Sequence, residues 1–203
     1  MLQYALPEDE YAHCTMSSID PRAQALYTRL GMQPLLPNFN LRWKRSTSSN
    51  LPASNIECLE GQTGDPAFMS WDAQIGGRER PADHTFWIQQ QRAVPLWFRR
   101  HGKTLGYGYV RLGAGTLWYP QACTVGPIGV ISAEYAADCA LAATRYACAR
   151  AEVVRIDVPG PHASLAPLLE SGFMIVYVET FHSAATTPIF DARCYIPSGS
   201  DLL

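Results

Sequence analysis

Four titratable side chains that could accept a proton lie on or beside strands predicted late in the chain: Asp157, His162, Glu179 and His182. Carboxylate and imidazole groups can act as general bases when a reacting proton comes within hydrogen-bond reach. Each of the four is also explained as an exposed or hydrogen-bonded polar residue, and nothing in the sequence selects one. His84, at a predicted helix start, and His101, in a predicted hairpin turn, are weaker candidates.

Six cysteines could in principle bind a metal or form disulfides: Cys14, Cys58, Cys123, Cys139, Cys148 and Cys194. None of them forms a Cys-x-x-Cys pair, and their spacing does not fit a local zinc clamp. Most fall on predicted strands and on one predicted helix, where free cysteine behaves as a small apolar residue. The sequence therefore predicts buried free thiols and no metal site.

The composition indicates a globular, core-forming chain. Of 203 residues, 47% are hydrophobic and 17% are charged, and the net charge is −2. This length fits one large domain or one domain plus a fragment. The charge offers no field to attract nucleic acid or an anionic membrane. With no signal peptide and no apolar run long enough to span a bilayer, the expected location is the cytoplasm.

Two similar helix signals occur about a domain length apart, "DPRAQALYTRLGM" (20–32) and "PHASLAPLLESGF" (161–173). Each has a polar start, apolar residues at helical spacing, then a glycine and a large apolar residue. In the first, Asp20 is a good N-cap, and Gly31 suits the left-handed conformation that ends helices. The fold must explain why a chain of 203 residues carries the same helix signal twice.

The elements around these signals predict an α/β fold with a mixed sheet. A strand precedes the first helix, and the stretch 32–43 is expected as one or two extended pieces broken at Pro34 and Pro37. The segment "KRSTSSNLPASN" is the best linker candidate. Two short helices, several hairpin strands, an apolar central strand, a long helix and further crossovers follow. Hairpins first and crossovers later favour a mixed sheet with helices on both faces.

That order, with its two similar helices, resembles the GNAT family of acyl-CoA N-acyltransferases. The stretch "YAHCTMSSIDPRAQALYTRLGMQPLLPNFNLRW" is similar to the last third of that fold, and the chain from Asp65 onward is similar to a nearly complete second copy with "SNIECLE" as its candidate first strand. The resemblance implies a first-domain tail at 1–45, a linker at 46–64 and a GNAT-like domain at 65–203. It also raises the expectation that the chain is part of a longer tandem protein.

The resemblance implies acetyl-CoA as cosubstrate and places its site at the end of the predicted central strand. There, backbone N–H groups at a helix start would hold the pyrophosphate. The implied cofactor-binding residues are Val125, Gly126, Ile128, Gly129 and Val130. The family's leading Arg or Gln and its paired small residues are missing, and Glu134 adds a negative charge. A turn or bulge that ends the strand is the alternative interpretation of these glycines.

The resemblance also implies a general acid for the leaving thiolate, a tyrosine four residues before the glycine of the last helix. In the first helix signal that residue is Tyr27, whereas in the second it is Leu168, which cannot donate a proton. Tyr27 is therefore the implied catalytic residue. The alternative is that Tyr27 packs on its helix face as an amphipathic side chain.

Two functions follow as hypotheses. The first is an acetyl-CoA-dependent N-acetyltransferase acting on a primary amine of a small molecule or peptide. The second is a catalytically inactive GNAT-like binding or dimerisation module, either by itself or as a fragment of a longer tandem enzyme. In either case the N-terminal strands have too little core to stand alone, so they are expected to dock onto the main sheet or to pair in a homodimer.

Overall fold

The computed structural model describes residues 15–45, 54–115, 119–185 and 190–199. The strands are β1 (Thr15–Ser18), β2 (Gln33–Lys44), β3 (Glu57–Glu60), β4 (Ala93–Arg100), β5 (Lys103–Arg111), β6 (Cys123–Val130), β7 (Val153–Pro159), β8 (Met174–Ser183) and β9 (Tyr195–Ile196). The helices are α1 (Pro21–Arg29), α2 (Pro66–Gly76), α3 (Pro81–Gln91), α4 (Ala136–Cys148) and α5 (Leu165–Glu170), and a 3₁₀ turn spans Ala133–Tyr135.

Within the described residues, the strands form one mixed sheet in the order β1-β8-β2-β7-β6-β5-β4-β3, and β9 pairs with β6. The pair β6–β7 is parallel, and the other pairs are antiparallel. Every residue of β6 is buried. This agrees with the uninterrupted apolar run of that strand, which is typical of a strand covered on both faces. The α/β class with a mixed sheet is confirmed.

The N-terminal segment docks onto the main sheet, as predicted. Strand β2 pairs with β7 on one side and with β8 on the other. Pro34 and Pro37 do not divide it: the chain stays extended through both, with a register shift between Pro34 and Leu36. A proline lacks the N–H that a ladder needs, and a local irregularity accommodates that loss. The segment 32–43 is therefore one long strand rather than two pieces.

The first helix begins and ends where its sequence predicts. The Asp20 carboxylate accepts a hydrogen bond from the backbone N–H of Arg22 at 2.9 Å, which caps the helix start. Gly31 adopts φ +87° just beyond the last turn, a conformation that costs glycine little. None of the side chains of α1 is buried, however, although its apolar spacing predicted a packed face.

Part of the predicted linker is a strand. Glu57–Glu60 pairs with β4 at the edge of the sheet, inside the stretch 46–64. Residues 46–53 of that stretch lie outside the described residues. The division into a first-domain tail, a linker and a second domain stays a prediction, although the sheet runs continuously through the described parts of both.

Two apolar clusters hold the helices to the sheet. The larger joins α4 and α5 to one face of the central strands, with Leu168 fully buried in it. The smaller lies under α2 and α3 and is rich in aromatic residues: Phe68, Trp87, Tyr107 and Tyr109, with Trp71 and Trp97 beside them. Because each large aromatic ring buries much apolar surface, this cluster anchors the two short helices to the sheet.

Candidate functional site

The strand implied to bind acetyl-CoA is already paired at its far end. Strands β6 and β7 pair only from Cys123 to Val125 among the described residues, and beyond that point β9 takes the place of β7 beside β6. Ile128 lies opposite Ile196, and Gly129 lies opposite Tyr195. The Val130 N–H donates to the Cys194 carbonyl at 3.0 Å.

The residues after β9 also close over β6. A Cβ built on Gly126 would lie 2.5 Å from the Pro197 carbonyl oxygen, and Gly126 has φ +129°. Gly129 has a different neighbour, since a Cβ there would lie 2.4 Å from a ring carbon of Tyr107. Both glycines are therefore explained by the close approach of protein atoms, and β6 continues through them to Val130.

The helix start beyond β6 offers little to a pyrophosphate. The chain enters α4 through the 3₁₀ turn, where the exposed Glu134 carries a negative charge. Ser132 makes no side-chain cap hydrogen bond there. The Arg100 guanidinium lies 5.2 Å from the centroid of the Tyr135 ring in this turn. With the strand edge paired and a carboxylate at the helix start, the residues as arranged do not fit acyl-CoA.

A buried polar cluster lies beneath the residues that follow β9. Asn40 donates to the Asp157 carboxylate, and Arg111 donates to the Ser198 carbonyl and to Gln91 Oε1, the latter at 2.8 Å. Burial lowers the pKa of Arg111 to about 10, although the charge of Asp157 opposes that shift. The candidate base Asp157 is therefore committed to this cluster.

Strand β2 separates two of the other candidate bases, Glu179 and His182 on β8, from β7. Asp157 lies opposite Asn40 on one side of β2, and Glu179 lies opposite Asn38 on the other. His162 is buried just after β7, where its Nδ1 lies 2.8 Å from Ser164 Oγ. The four candidates thus lie in separate surroundings, and the structure brings none of them to the Gly126–Val130 segment except Asp157, through the residues that follow β9.

Tyr27 lies far along the sheet from the implied cofactor residues. It is half-buried on α1, and its ring contacts that of the buried His182 on β8 edge to face at 5.5 Å. Strands β2 and β7 lie between β8 and β6, a separation of about 14 Å at ordinary strand spacing. The structure therefore does not bring the implied acid and the implied cofactor strand together.

The most connected group of buried polar side chains lies elsewhere, around Asp72 on α2. Arg80 donates to both oxygens of Asp72, at 2.6 and 2.8 Å, and Tyr107 donates to Oδ1. Tyr195 of β9 lies 3.3 Å from the same oxygen and accepts from Arg80. Burial alone would raise the pKa of Asp72, but hydrogen bonds from Arg80 and His84 outweigh it and hold that pKa well below its usual range.

The same carboxylate fixes the orientation of His84. Its Nε2 lies 3.0 Å from Asp72 Oδ2, and its Nδ1 lies 2.9 Å from the Tyr109 hydroxyl. An ionised carboxylate can only accept, so Nε2 carries the hydrogen when the ring is neutral, and Nδ1 accepts from Tyr109. Burial and then the charge of Asp72 raise the pKa of Tyr109 well above its ordinary value. The result is a hydrogen-bonded chain from Tyr109 through His84 to Asp72.

Sequence reasoning missed this network. His84 was expected only as a residue at a helix start, and Arg80 belongs to the short mixed-charge stretch "GRERPAD". Neither residue type nor spacing marks them, because the partners come from α2, α3, β5 and β9. One weak signal existed, the run of aromatic residues with hydroxyl groups on β5, "GYGY", since buried tyrosine hydroxyls need polar partners.

The described residues contain neither a cluster of metal ligands nor a membrane-spanning helix. No group of three or more histidine, cysteine, aspartate or glutamate side chains there is arranged to hold a metal ion. None of the described helices has the length and apolar character needed to cross a bilayer.

Comparisons with known proteins identify the fold. No protein-family model and no curated protein matches the sequence. Among solved structures, a Pyrococcus horikoshii protein provisionally named an acetyltransferase superposes with a TM-score of 0.65 at 12% identity, over 95% of this chain and 60% of its own.

Two GCN5-related N-acetyltransferases are also similar. The protein from Anabaena variabilis gives a TM-score of 0.60 at 12% identity, over 87% of this chain and 46% of its own. The protein from Sphaerobacter thermophilus gives 0.55 at 13% identity, over 88% and 60%. The chain thus spans about half to three fifths of these proteins' lengths. At such low identity the likeness concerns the fold, and the sheet described above is that of the GNAT N-acetyltransferases.

Proposed function

We propose that this chain is a GNAT-fold module that does not transfer acyl groups itself and that serves in binding or dimerisation. The observation that carries the proposal is the pairing of β9 with β6, which occupies the strand edge implied to bind acetyl-CoA. A ligand and a strand cannot use the same backbone groups at once. Acyl-CoA binding would therefore first require β9 to leave.

Removal of β9 would break favourable contacts. Tyr195 and Ile196 are both buried, and the Tyr195 hydroxyl is held by Arg80 and Asp72. Exposing these two side chains would cost several kcal/mol at about 1.5–3 kcal/mol for each large apolar residue. That free energy would be subtracted from the binding free energy of any ligand that competes for β6.

An active acetyltransferase is the second candidate, because the similar solved structures bear acetyltransferase names. That function would use acetyl-CoA as cosubstrate and a small-molecule or peptide amine as acceptor. Tyr27 would act as the acid, and Val125, Gly126, Ile128, Gly129 and Val130 would form the cofactor site. It would need both the release of β9 and a movement of Tyr27 from its place beside β8 toward β6.

A thermal-shift series separates the two candidates. Acetyl-CoA and CoA are titrated to about 1 mM, with ATP as an anionic nucleotide control. A ligand that binds the native state at a hundredfold excess over Kd adds about 2.7 kcal/mol, which raises Tm by about 5–11 °C for a chain of this size. We expect no difference between the CoA compounds and ATP. A saturable rise with acetyl-CoA and CoA alone would overturn the proposal.

A further inference from the structure

A cavity of about 100 Å³ lies where α2 and α3 rest on β4 and β5. A single water needs about 10–15 Å³ of such volume, so the cavity has room for a small organic group. None of its described lining residues belongs to β6 or β9, so it is separate from the paired strand edge. Its apolar lining comes from Phe68, Met69, Ile88 and Pro95, and its polar lining includes Asp65, His84 and Tyr109.

The charge at this cavity is negative. Asp65, half-buried at the N-cap of α2, lines the wall, and its Oδ1 accepts from the Ala67 backbone N–H at 2.9 Å. No described residue donates a hydrogen bond to its Oδ2. The described lining contains neither lysine nor arginine. A carboxylate with a spare oxygen at the wall of an apolar cavity favours a cationic occupant.

The polar end of the cavity offers an acceptor rather than a donor. When the His84 ring is neutral and Nε2 donates to Asp72, the Tyr109 hydroxyl gives its hydrogen to Nδ1 of His84. The lone pairs of the Tyr109 oxygen are then the groups that a ligand can use. Asp65 and Tyr109 both line this cavity, so the carboxylate and the hydroxyl border the same space.

The aromatic walls add a third attraction for the same charge. The rings of Phe68 and Tyr109 line the cavity with centroids 5.7 Å apart. Aromatic rings attract ammonium groups by about 0.5–2 kcal/mol, more where water is excluded. We propose that the cavity between α2 and α3 binds a small primary alkylammonium group, with the charge between Asp65 and the Tyr109 oxygen and the alkyl chain against Phe68 and Ile88.

The test uses n-butylammonium as the probe, with 1-butanol and butyrate as neutral and anionic controls of matched size. Binding to the full chain is followed by amide chemical shifts in two-dimensional NMR. For a five-atom ligand we expect a dissociation constant on the order of 1 mM or weaker. The shifts should centre on Gly64, Thr85 and Ile88. No binding of butylammonium, or equal binding of butanol, would overturn the proposal.

One substitution isolates the charge. Asp65→Asn keeps a side chain that caps helices as well as aspartate does, so α2 stays intact. We expect it to weaken butylammonium binding at least about threefold and to leave butanol binding unchanged. Asp83→Asn removes an equal charge from the first turn of α3, outside the lining, and should leave both unchanged. An equal loss in the two variants would show only a diffuse effect of net charge and would overturn the site.

Because the readout is binding, the result does not depend on acyl transfer. If butylammonium does not bind, the proposal that β9 blocks the edge of β6 still stands. If CoA raises the Tm, the proposal for this cavity still stands.

Discussion

At the scale of single residues, Asp72 has the largest expected effect on stability. Asp72→Asn would leave the Arg80 guanidinium, of which 7% of the side chain is exposed, without its counter-charge. Breaking a buried pair by removing one partner costs about 3–5 kcal/mol. We expect a loss of that size in the free energy of unfolding, measured by urea denaturation.

The matched control is Glu152→Gln, which removes a carboxylate paired with Arg45 on the surface, where 75% of the Glu152 side chain is exposed. Exposed pairs contribute about 0–1 kcal/mol, so its effect should be small. Similar losses in the two variants would contradict the structural role assigned to Asp72.

His162 should make stability depend on pH. Burial lowers the pKa of its imidazole to about 4, against about 6.5 in an unfolded chain. Between these values the unfolded chain binds a proton that the folded chain excludes, so stability is full above about pH 6.5 and falls as the pH drops toward 4. His162→Asn can still accept from the Ser164 N–H but does not titrate.

The measurement is the free energy of unfolding in urea at several pH values from 4 to 7, for the wild type and His162→Asn. The wild type should lose about 3 kcal/mol over this window relative to the variant, as expected from a shift of this size. Parallel pH profiles for the two proteins would show that His162 does not cause the dependence.

At the scale of elements, β9 depends on the small size of Gly126. A Cβ at this position would meet the Pro197 carbonyl at 2.5 Å, so Gly126→Ala should push the C-terminal residues from β6. We expect faster hydrogen exchange at the Val130 amide, which donates to Cys194, with exchange elsewhere in β5 and β7 little changed.

Gly31→Ala is the control, because Gly31 also has a positive φ but a Cβ there would meet no atom within 4 Å. That variant carries the backbone strain, about 1 kcal/mol, without the clash. Equal exchange at Val130 in both variants would mean that a general loss of stability, and not the contact with Pro197, opens β9.

Elements with local signals were predictable from the sequence, whereas their partners were not. The cap at Asp20, the stop at Gly31 and the apolar run of β6 act within a few residues, so pattern and propensity describe them. The insertion of β2 between β7 and β8 joins residues more than a hundred positions apart. Strand β9 has only two residues, and its place is set by Tyr195 meeting Arg80 and Asp72, which no local pattern records.

For the candidate site, too, the sequence can mark a residue but not the atoms that it contacts. The glycines Gly126 and Gly129 could be singled out because they interrupt an apolar strand, yet the atoms that require them belong to Pro197 and Tyr107. Asp72, Arg80 and His84 are ordinary residues for surface helices. They become a buried network because α2 and α3 rest on tyrosines of β5, and this is a property of the packed tertiary structure.

At the scale of the whole molecule, an apolar surface runs along α1 and β8. Leu26 of α1 and Leu30 at its C-cap are 53% and 63% exposed, and β8 exposes Met174, Ile175, Val176 and Val178 by 43–50%. Among the described residues, no strand pairs with the outer edge of β8 between Met174 and Val178, since β1 covers only Thr180 to Ser183. A flat apolar edge of this kind invites pairing with another strand.

A second copy of the chain would fit this edge without opposing charges. Antiparallel pairing centred on Val176 places Met174 opposite Val178 and Ile175 opposite Tyr177, all uncharged. We therefore expect a dimer in sedimentation velocity at micromolar concentration, in line with the proposed dimerisation role. Val176→Lys should shift it to monomer, because an edge lysine would have to be buried at the two-fold axis.

Leu59→Lys is the matched control, since Leu59 is an exposed apolar residue on β3 at the opposite edge of the sheet. It should leave the dimer intact. A chain that is monomeric at every concentration, or a dimer lost equally in both variants, would exclude pairing through β8. If the chain is monomeric at every concentration, the apolar surface would instead bind a partner of another sequence. One such partner is a segment equivalent to the part of the similar solved structures that this chain does not span.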